Sequence, residues 1–304
     1  MRSEPPIERN EMTPTHQPTV AVIGATGQQG RSVVNALLEL DVAVRALVRD
    51  PDSPAARDLI GAGADVVRAD QEDPDSLEEA LTNVTSLFFM TTFEGADGTD
   101  GEIRRGRAVA TAAARAGVPR VVYSSVGGAE RATGIPHFES KYQVETYLGS
   151  IVPSTILRPV FFMENLIPQL VPDGDGDIVI RLPMPGDVPL QMIGVRDIGR
   201  AAARLLSEPA AIDGDAIEVA TDELTLDEVA RQVSEAFGVP ARFETIPLEY
   251  LGDDEDLKAM FRWFAAGSAY RADLSASRAL IHGSSDLRAW LAAYLTSAAG
   301  AASR

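Results

Sequence analysis

The chain contains no cysteine. That absence excludes disulfides, thiol redox sensing and thiolate metal sites. Lysine is almost as scarce: Lys141 and Lys258 are the two among 27 basic residues, the rest being arginine. No apolar run approaches the roughly 20 residues that span a bilayer as a helix. The opening stretch, 1–18, is polar and proline-punctuated with no apolar signal region, so it reads as a disordered tail and the protein as cytoplasmic. A formal net charge of −18 argues against direct binding to nucleic acid, which needs a basic face, and no membrane contact is expected. An acidic, lysine-poor surface suits a protein kept soluble in concentrated salt. A GC-rich genome that replaces lysine with arginine and alanine accounts for the same composition, and both readings stay open.

What is present begins with Gly24-Ala25-Thr26-Gly27-Gln28-Gln29-Gly30, directly after the apolar run Thr19–Ile23. A β-branched strand feeds a glycine-rich turn that opens a helix, expected over about Gln29 to Leu40. Glycines let the backbone approach a pyrophosphate, and the helix N-terminus offers free N–H groups and the positive end of its dipole. A second strand, Ala43 to Val48, ends in Arg49-Asp50-Pro51, where a dinucleotide fold senses the adenosine ribose. An acid there favours the free 2′-hydroxyl and an arginine a 2′-phosphate. Arg49 and Asp50 pull in opposite directions, with the balance toward NADP and NAD as the alternative.

Strand and helix signals then alternate: helix Ser53–Ala62, strand Ala64–Ala69, a helix opened by Asp73 to Ser76, and strand Ser86–Met90. A helix over about Glu102 to Ala116, strand Arg120–Ser124, helix His137–Leu148 and strand Ser154–Leu157 follow. Continuous apolar runs mean strands covered on both faces. The expected fold is α/β, a Rossmann-type doubly wound parallel sheet over residues 19–160, with a smaller α+β region, 161–304, interleaved with it and capping its ligand-binding edge. In that region Ile178–Leu182, Val188–Ile193 and Ala216–Val219 read as strands, and Val195–Leu206 as a helix. Another helix starts at Thr225 and stops at Gly238. The run Asp173-Gly174-Asp175-Gly176-Asp177 has the alternating carboxylates of a calcium loop. It fails with Ile178 at the sixth position and Met184 at the twelfth, so it reads as a polar turn and no metal site is expected. Glu94 to Gly98 reads as a mobile loop at a strand's carboxyl end, placed to cover a nicotinamide.

Short-chain dehydrogenases place a tyrosine and, four residues on, a lysine on one helix face, with a serine after the fifth strand. Ser124 and Ser125 stand in the serine's place, and His137-Phe138-Glu139-Ser140-Lys141 on the next helix. His137 and Lys141 share a face, but the tyrosine position is histidine, and Tyr142 points about a quarter turn away. Three roles compete. Lys141 binds the cofactor ribose while His137 has none, His137 replaces tyrosine as proton donor, or Lys141 alone orients the substrate.

These segments, with Asp70-Gln71-Glu72-Asp73, Phe162-Met163-Glu164-Asn165-Leu166, Gly186-Asp187-Val188-Pro189 and Met260-Phe261-Arg262-Trp263-Phe264, resemble the NmrA-like family of atypical short-chain dehydrogenases from Thr19 to the C-terminal region. The resemblance implies that Gly24, Thr26, Gly27, Gln28, Gln29 and Gly30 hold the pyrophosphate and that Arg49, beside Asp50, holds the 2′-phosphate. It sets Asp70 and Gln71 by the adenine, Thr91, Thr92 and Phe93 along the cofactor's middle, Lys141 at the nicotinamide ribose, and Val160, Phe161 and Phe162 on the nicotinamide side. One extra residue between Pro159 and Glu164 leaves Phe161 and Phe162 interchangeable in that alignment. Family members divide between regulators that signal through a protein partner and reductases of quinones or related conjugated compounds. The missing tyrosine points to an NADP(H)-binding redox sensor, monomeric or homodimeric, with Lys141, His137 and Ser124 as a degenerate catalytic set. The alternative is an NADPH-dependent oxidoreductase acting on a small quinone or enone.

Overall fold

The computed structural model describes residues 19–302 apart from 213 and 268; the tail expected over 1–18 lies outside them. The chain opens with β1 (Thr19–Ile23), α1 (Gln28–Leu38), β2 (Ala43–Val48), α2 (Pro54–Gly61), β3 (Asp65–Arg68), α3 (Pro74–Ala80) and β4 (Ser86–Met90). It continues through α4 (Gly98–Arg115), β5 (Val121–Ser124), α5 (Pro136–Ile151) and β6 (Ser154–Pro159). Then come β7 (Phe161–Phe162), β8 (Ile178–Leu182), β9 (Pro189–Ile193), α6 (Val195–Ser207), β10 (Ala216–Val219), β11 (Asp222–Thr225) and α7 (Leu226–Phe237). β12 (Ala241–Thr245), α8 (Glu255–Ala265), α9 (Leu274–Leu280) and α10 (Leu287–Ala302) complete it.

Seven strands form one sheet in the order β10-β6-β5-β4-β1-β2-β3, and every pairing in it is parallel. The order reverses between β1 and β4, which opens the crevice where doubly wound sheets take ligands. Alternate residues of each strand feed opposite cores. Val20, Val22, Phe88 and Val122 join α1 and α6 on one face, while Ala21, Ile23, Leu87, Phe89 and Tyr123 join α4 and α5 on the other. A third core holds β8, β9, α7 and α8 together around Met163, Ile180, Met192, Leu226 and Phe264.

Not all of the chain after Val160 caps the sheet. β10 is the sheet's seventh strand, beside β6, and α6 packs along α1 in the helix layer. That packing is close because Gly199 of α6 lacks a side chain: a Cβ there would lie 2.4 Å from Ser32 Oγ and 2.6 Å from the Ser32 carbonyl oxygen. The remaining strands form a three-stranded sheet, β11-β9-β7, and the parallel pair β12-β8.

Element ends depart from expectation where turn chemistry decides. α1 stops at Leu38 rather than Leu40, because Asp41 takes a left-handed conformation (φ 56°) to turn the chain into β2. α4 starts one turn early, at Gly98, through two glycines that are poor helix formers. α7 carries the reciprocal cap of Thr225 and Glu228 and ends at left-handed Gly238. The Asp173 carboxylate accepts the Asp175 and Asp177 N–H groups at 3.0 and 3.2 Å, closing the turn before β8 on itself. Gly199→Ala should force α1 and α6 apart and cost about 1–3 kcal/mol, read as a lower urea midpoint with an unchanged m value; an unchanged midpoint would refute the close-packing argument.

Candidate functional site

The glycine turn joins the end of β1 to α1. Gly24 sits at φ +78°, where only glycine is unstrained, and its carbonyl accepts the Gly27 N–H at 2.9 Å. A Cβ on Gly30 would stand 2.1 Å from the Gly24 oxygen, so the third glycine sets how closely α1 approaches the turn. Other helix starts are closed: Ser53, Asp73, Thr225, Asp254 and Asp273 cap α2, α3, α7, α8 and α9 from their own chain. Asp256 reaches the first turn of α5, Glu164 that of α6, and Asp286 that of α10. α4 has Asp100 in its first turn. Among the described α-helices, α1 alone has neither a side-chain cap nor an acid in its first turn. Its N–H groups face the crevice with their dipole end uncompensated, which is what an anion needs.

At the end of β2 the competing residues have separate tasks. Asp50 Oδ1 accepts the Asp52 N–H at 3.0 Å, and the Asp50 carbonyl accepts from Ser53, so this acid is used in turning the chain into α2. Arg49 is exposed and has no partner among the described residues. After β3, Asp70 accepts the Glu72 N–H at 3.0 Å, with Gln71 half-buried beside it. Arg104 and Arg105 hydrogen-bond Glu72 and hold its carboxyl below the usual range. Arg105 also donates to the Thr92 carbonyl at 2.8 Å, and Arg104 to Asp97 at 2.7 Å, so the loop between Thr92 and α4 is pinned at both ends.

Behind this loop lies a group the sequence reading missed. Glu102, on α4, is 0 % exposed. Its Oε1 accepts from Thr91 Oγ1 at 2.8 Å and from Lys141 Nζ at 2.6 Å, and its Oε2 accepts from Ser140 Oγ. Lys141 Nζ also donates to the Thr91 carbonyl at 3.0 Å. Since the Thr91 hydroxyl gives its hydrogen to Glu102, the Tyr123 hydroxyl 2.8 Å away must donate to Thr91. Every member has a partner, and a network so connected stabilises a fold where isolated buried polar groups would not; Lys141 uses two of its three N–H groups within it. Burial pushes the Tyr123 phenol well above its ordinary 10, and the Glu102 charge adds to that.

His137 stands at the start of α5. Its Nδ1 lies 2.6 Å from Asp256 Oδ1 on α8, its ring stacks on Phe93 at 4.8 Å, and Phe138 meets it edge-on. The Asp256 contact fixes the imidazole and ties the cap to α5 across 119 residues of sequence. Ser124 Oγ donates to Gln29 Oε1 at 2.7 Å and so links β5 to the first turn of α1. Its neighbour Ser125, at the carboxyl end of β5, carries a hydroxyl that is buried with no hydrogen-bond partner among the described residues, as does Thr221. Of the residues assigned to the pyrophosphate, Thr26, Gly27 and Gln28 are exposed at the mouth of the crevice.

Beyond β6, side chains alternate. Val160 is buried against β10, and Phe161 is buried in the cap core with its ring 6.2 Å from Phe264. Phe162 is half-buried on the other side, which separates two residues the alignment left interchangeable and leaves Phe162 as the candidate wall. Phe264 and Phe261 are core; Trp263 is half-buried, edge-on to Phe138 at 5.3 Å, with Arg131 over its ring at 5.6 Å. Glu164 is structural: it accepts the Val195 N–H and the Trp290 indole N–H, locking α6 to α10.

A parallel doubly wound sheet with an open helix start at its switch point is the architecture of a dinucleotide-binding Rossmann-type protein. More narrowly, the chain belongs to the NmrA-like family, whose model matches residues 16–290. It is 30% identical over 276 residues to the NmrA-like family domain-containing oxidoreductase FrzB from a Cladobotryum species, covering 80% of this chain and 82% of that one. In fold it is similar to NmrA, a negative transcriptional regulator solved in complex with NADP (TM-score 0.79, 22% identity, 94% and 98% coverage). The fold is also that of an NADPH-dependent quinone oxidoreductase from Escherichia coli solved with NADPH (TM-score 0.76, 24% identity, 91% and 99% coverage). Among the described residues no helix is long and apolar enough to cross a membrane.

Tyr123 gives a pH test of the buried network. Its raised pKa contributes stability fully present below about pH 10, the unfolded value, and lost as pH rises through the folded one. Above pH 10 the wild type should lose about 1.4 kcal/mol per pH unit more than Tyr123→Phe, measured as urea midpoints from pH 8 to 11. Parallel profiles for the two proteins would show that Tyr123 is not buried as described.

Proposed function

We propose that this protein is an NADP(H)-dependent oxidoreductase that reduces a small conjugated acceptor, a quinone or enone. The residues fit the cofactor. The uncapped start of α1 would hold the pyrophosphate, unpartnered Arg49 the 2′-phosphate, and Lys141 the nicotinamide ribose, with Phe162 and the buried Ser125 hydroxyl toward the nicotinamide side. Asp50 Oδ1 is engaged by its own turn whereas Arg49 has no partner among the described residues, which favours NADP. When bound, the cofactor would supply or accept a hydride. The chain's own part is to orient the acceptor and hold a proton for it.

The observation that carries the enzymatic reading is the Asp256–His137 contact of 2.6 Å. A carboxylate on Nδ1 fixes the tautomer and leaves Nε2 as the exchanging nitrogen, the arrangement by which a histidine serves as acid or base. The oxidoreductase relative at 30% identity supports the same reading. The regulator expected from the missing tyrosine is the second reading, favoured by the same contact seen as a joint. Asp256 belongs to the cap and Phe93 to the loop after β4, so a change at the nicotinamide end would be felt by α8 through His137.

NADPH oxidation against a panel of small quinones and enones decides between them. Turnover should fall about 10²–10⁴-fold in His137→Gln with NADPH still bound, and Arg49→Gln should weaken NADPH about tenfold or more while leaving NADH unchanged. Saturable NADPH binding with no turnover on any acceptor would overturn the reductase and send the search to protein partners. Unchanged NADPH affinity in Arg49→Gln would overturn the 2′-phosphate assignment.

A further inference from the structure

Glu102 is a buried carboxylate for which the proposed reaction has no direct use, and it does not lie at the mouth of the crevice. It holds two successive residues of α5, Ser140 through one carboxylate oxygen and Lys141 through the other. The crossing of α4 and α5 is built for this grip. One helical turn after Glu102 comes Gly106, and one turn after Ser140 comes Val144. A Cβ on Gly106 would lie 2.5 Å from Val144 Cγ2. A glycine is therefore needed at the point that sets the distance from Glu102 to Ser140 and Lys141. Glu102 also lies on the stripe of α4 that carries Val109, Ala110 and Ala113 into the core, where an ionised group persists only if paired and fully hydrogen-bonded.

We infer that Glu102 is a positioning residue for Lys141, fixing the ammonium at the carboxyl end of β4 so that one of its three N–H groups is held for the cofactor ribose. Lys141 gives two N–H groups to the protein, one to Glu102 and one to the Thr91 carbonyl. The pair fixes an otherwise flexible four-carbon side chain before a ligand arrives, so the ordering entropy is not charged to binding. Ser140 and Thr91 supply two further hydrogen bonds to the carboxylate, so that both of its oxygens are engaged, and Tyr123 closes the chain of donors behind Thr91. In this arrangement Glu102 acts on the ligand only through Lys141. The inference rests on the proposed placement of Lys141 at the ribose.

That dependence gives the test. NADPH affinity, followed by quenching of intrinsic fluorescence, is measured for wild type, Lys141→Met, Glu102→Gln and the double variant, with thermal unfolding as the check on folding. Lys141→Met should weaken NADPH about tenfold, Glu102→Gln by a similar factor, and the double variant no further than Lys141→Met alone, since coupled residues are not additive. A Glu102→Gln effect of the same size in both backgrounds, or no effect in either, would overturn the inference and leave Glu102 as a fold residue. Should Glu102→Gln fail to fold, Gly106→Ala, which pushes α4 from α5, replaces it: its loss of affinity should vanish in the Lys141→Met background and persist there if the inference is wrong. Wild type that fails to bind NADPH at all overturns the cofactor reading itself, an outcome distinct from additivity in a protein that binds.

Discussion

Taking the Glu102 carboxylate out of water costs several kcal/mol unless an opposite charge and further hydrogen bonds replace its hydration. Lys141, Thr91 and Ser140 provide them, and meeting that demand fixes much of the molecule's ligand-binding edge. Lys141 must come from α5 at a set height, Thr91 must follow β4 with its hydroxyl inward, and Tyr123 of β5 must present its hydroxyl to Thr91. One ion pair thereby registers two helices and two adjacent strands. Removing one partner would strand the other charge in the interior, a loss of about 3–5 kcal/mol, so the arrangement tolerates little drift.

The cap is joined to this edge by polar contacts placed at helix starts. α5 and α6 lack caps from their own preceding residues, and each receives a carboxylate from elsewhere in the fold: Asp256 from α8 for α5, Glu164 from the turn after β7 for α6. Arg131, after β5, pairs with Glu218 of β10 at 3.1 Å and covers Trp263 of α8. Glu218 also accepts the Arg271 N–H at 2.7 Å. Each contact satisfies a group that would otherwise be orphaned, so cap and sheet complete one another's hydrogen bonding. α1 is the exception, with its first turn left to whatever enters the crevice.

How much of this could be read from the sequence follows the range of the interactions. β1, β2, β4 and β8 keep their expected limits because apolar runs bounded by turn residues are local signals. The cap of α7 was visible in Thr225 and Gly238 for the same reason. The glycine turn and Arg49-Asp50 were legible as residues, but not their division of labour, which needs the Asp52 N–H in place. Glu102 is hard to read because Gly98 and Gly101 obscure the first turn of α4 and set the acid at the expected helix start rather than within the helix. The available signal was its spacing of 4, 7, 8 and 11 residues from Gly106, Val109, Ala110 and Ala113, which sets a carboxylate on the buried stripe. Asp256 had no local signal at all. An acid at the start of an acidic helix looks the same whether or not an imidazole 119 residues away lies against it.

The charge of the chain limits how a dinucleotide can be recognised on the proposed reading. A protein with net charge −18 repels a polyanion at long range, so electrostatic steering gives no help and salt within a Debye length of about 8–10 Å only relieves the repulsion. Recognition must then be made at contact, by groups whose geometry is fixed beforehand. The structure supplies that fixity: the α1 start held by Gly30 against Gly24, Ser124 tying Gln29 to β5, and Lys141 anchored on Glu102. The same reasoning explains why an acidic protein holds Lys141, half-buried, against a fully buried acid. On the surface Lys141 would be one cation among many acids, with its charge screened and its side chain free. Anchored on Glu102 and the Thr91 carbonyl, its position is set by the fold, and position is what short-range recognition depends on.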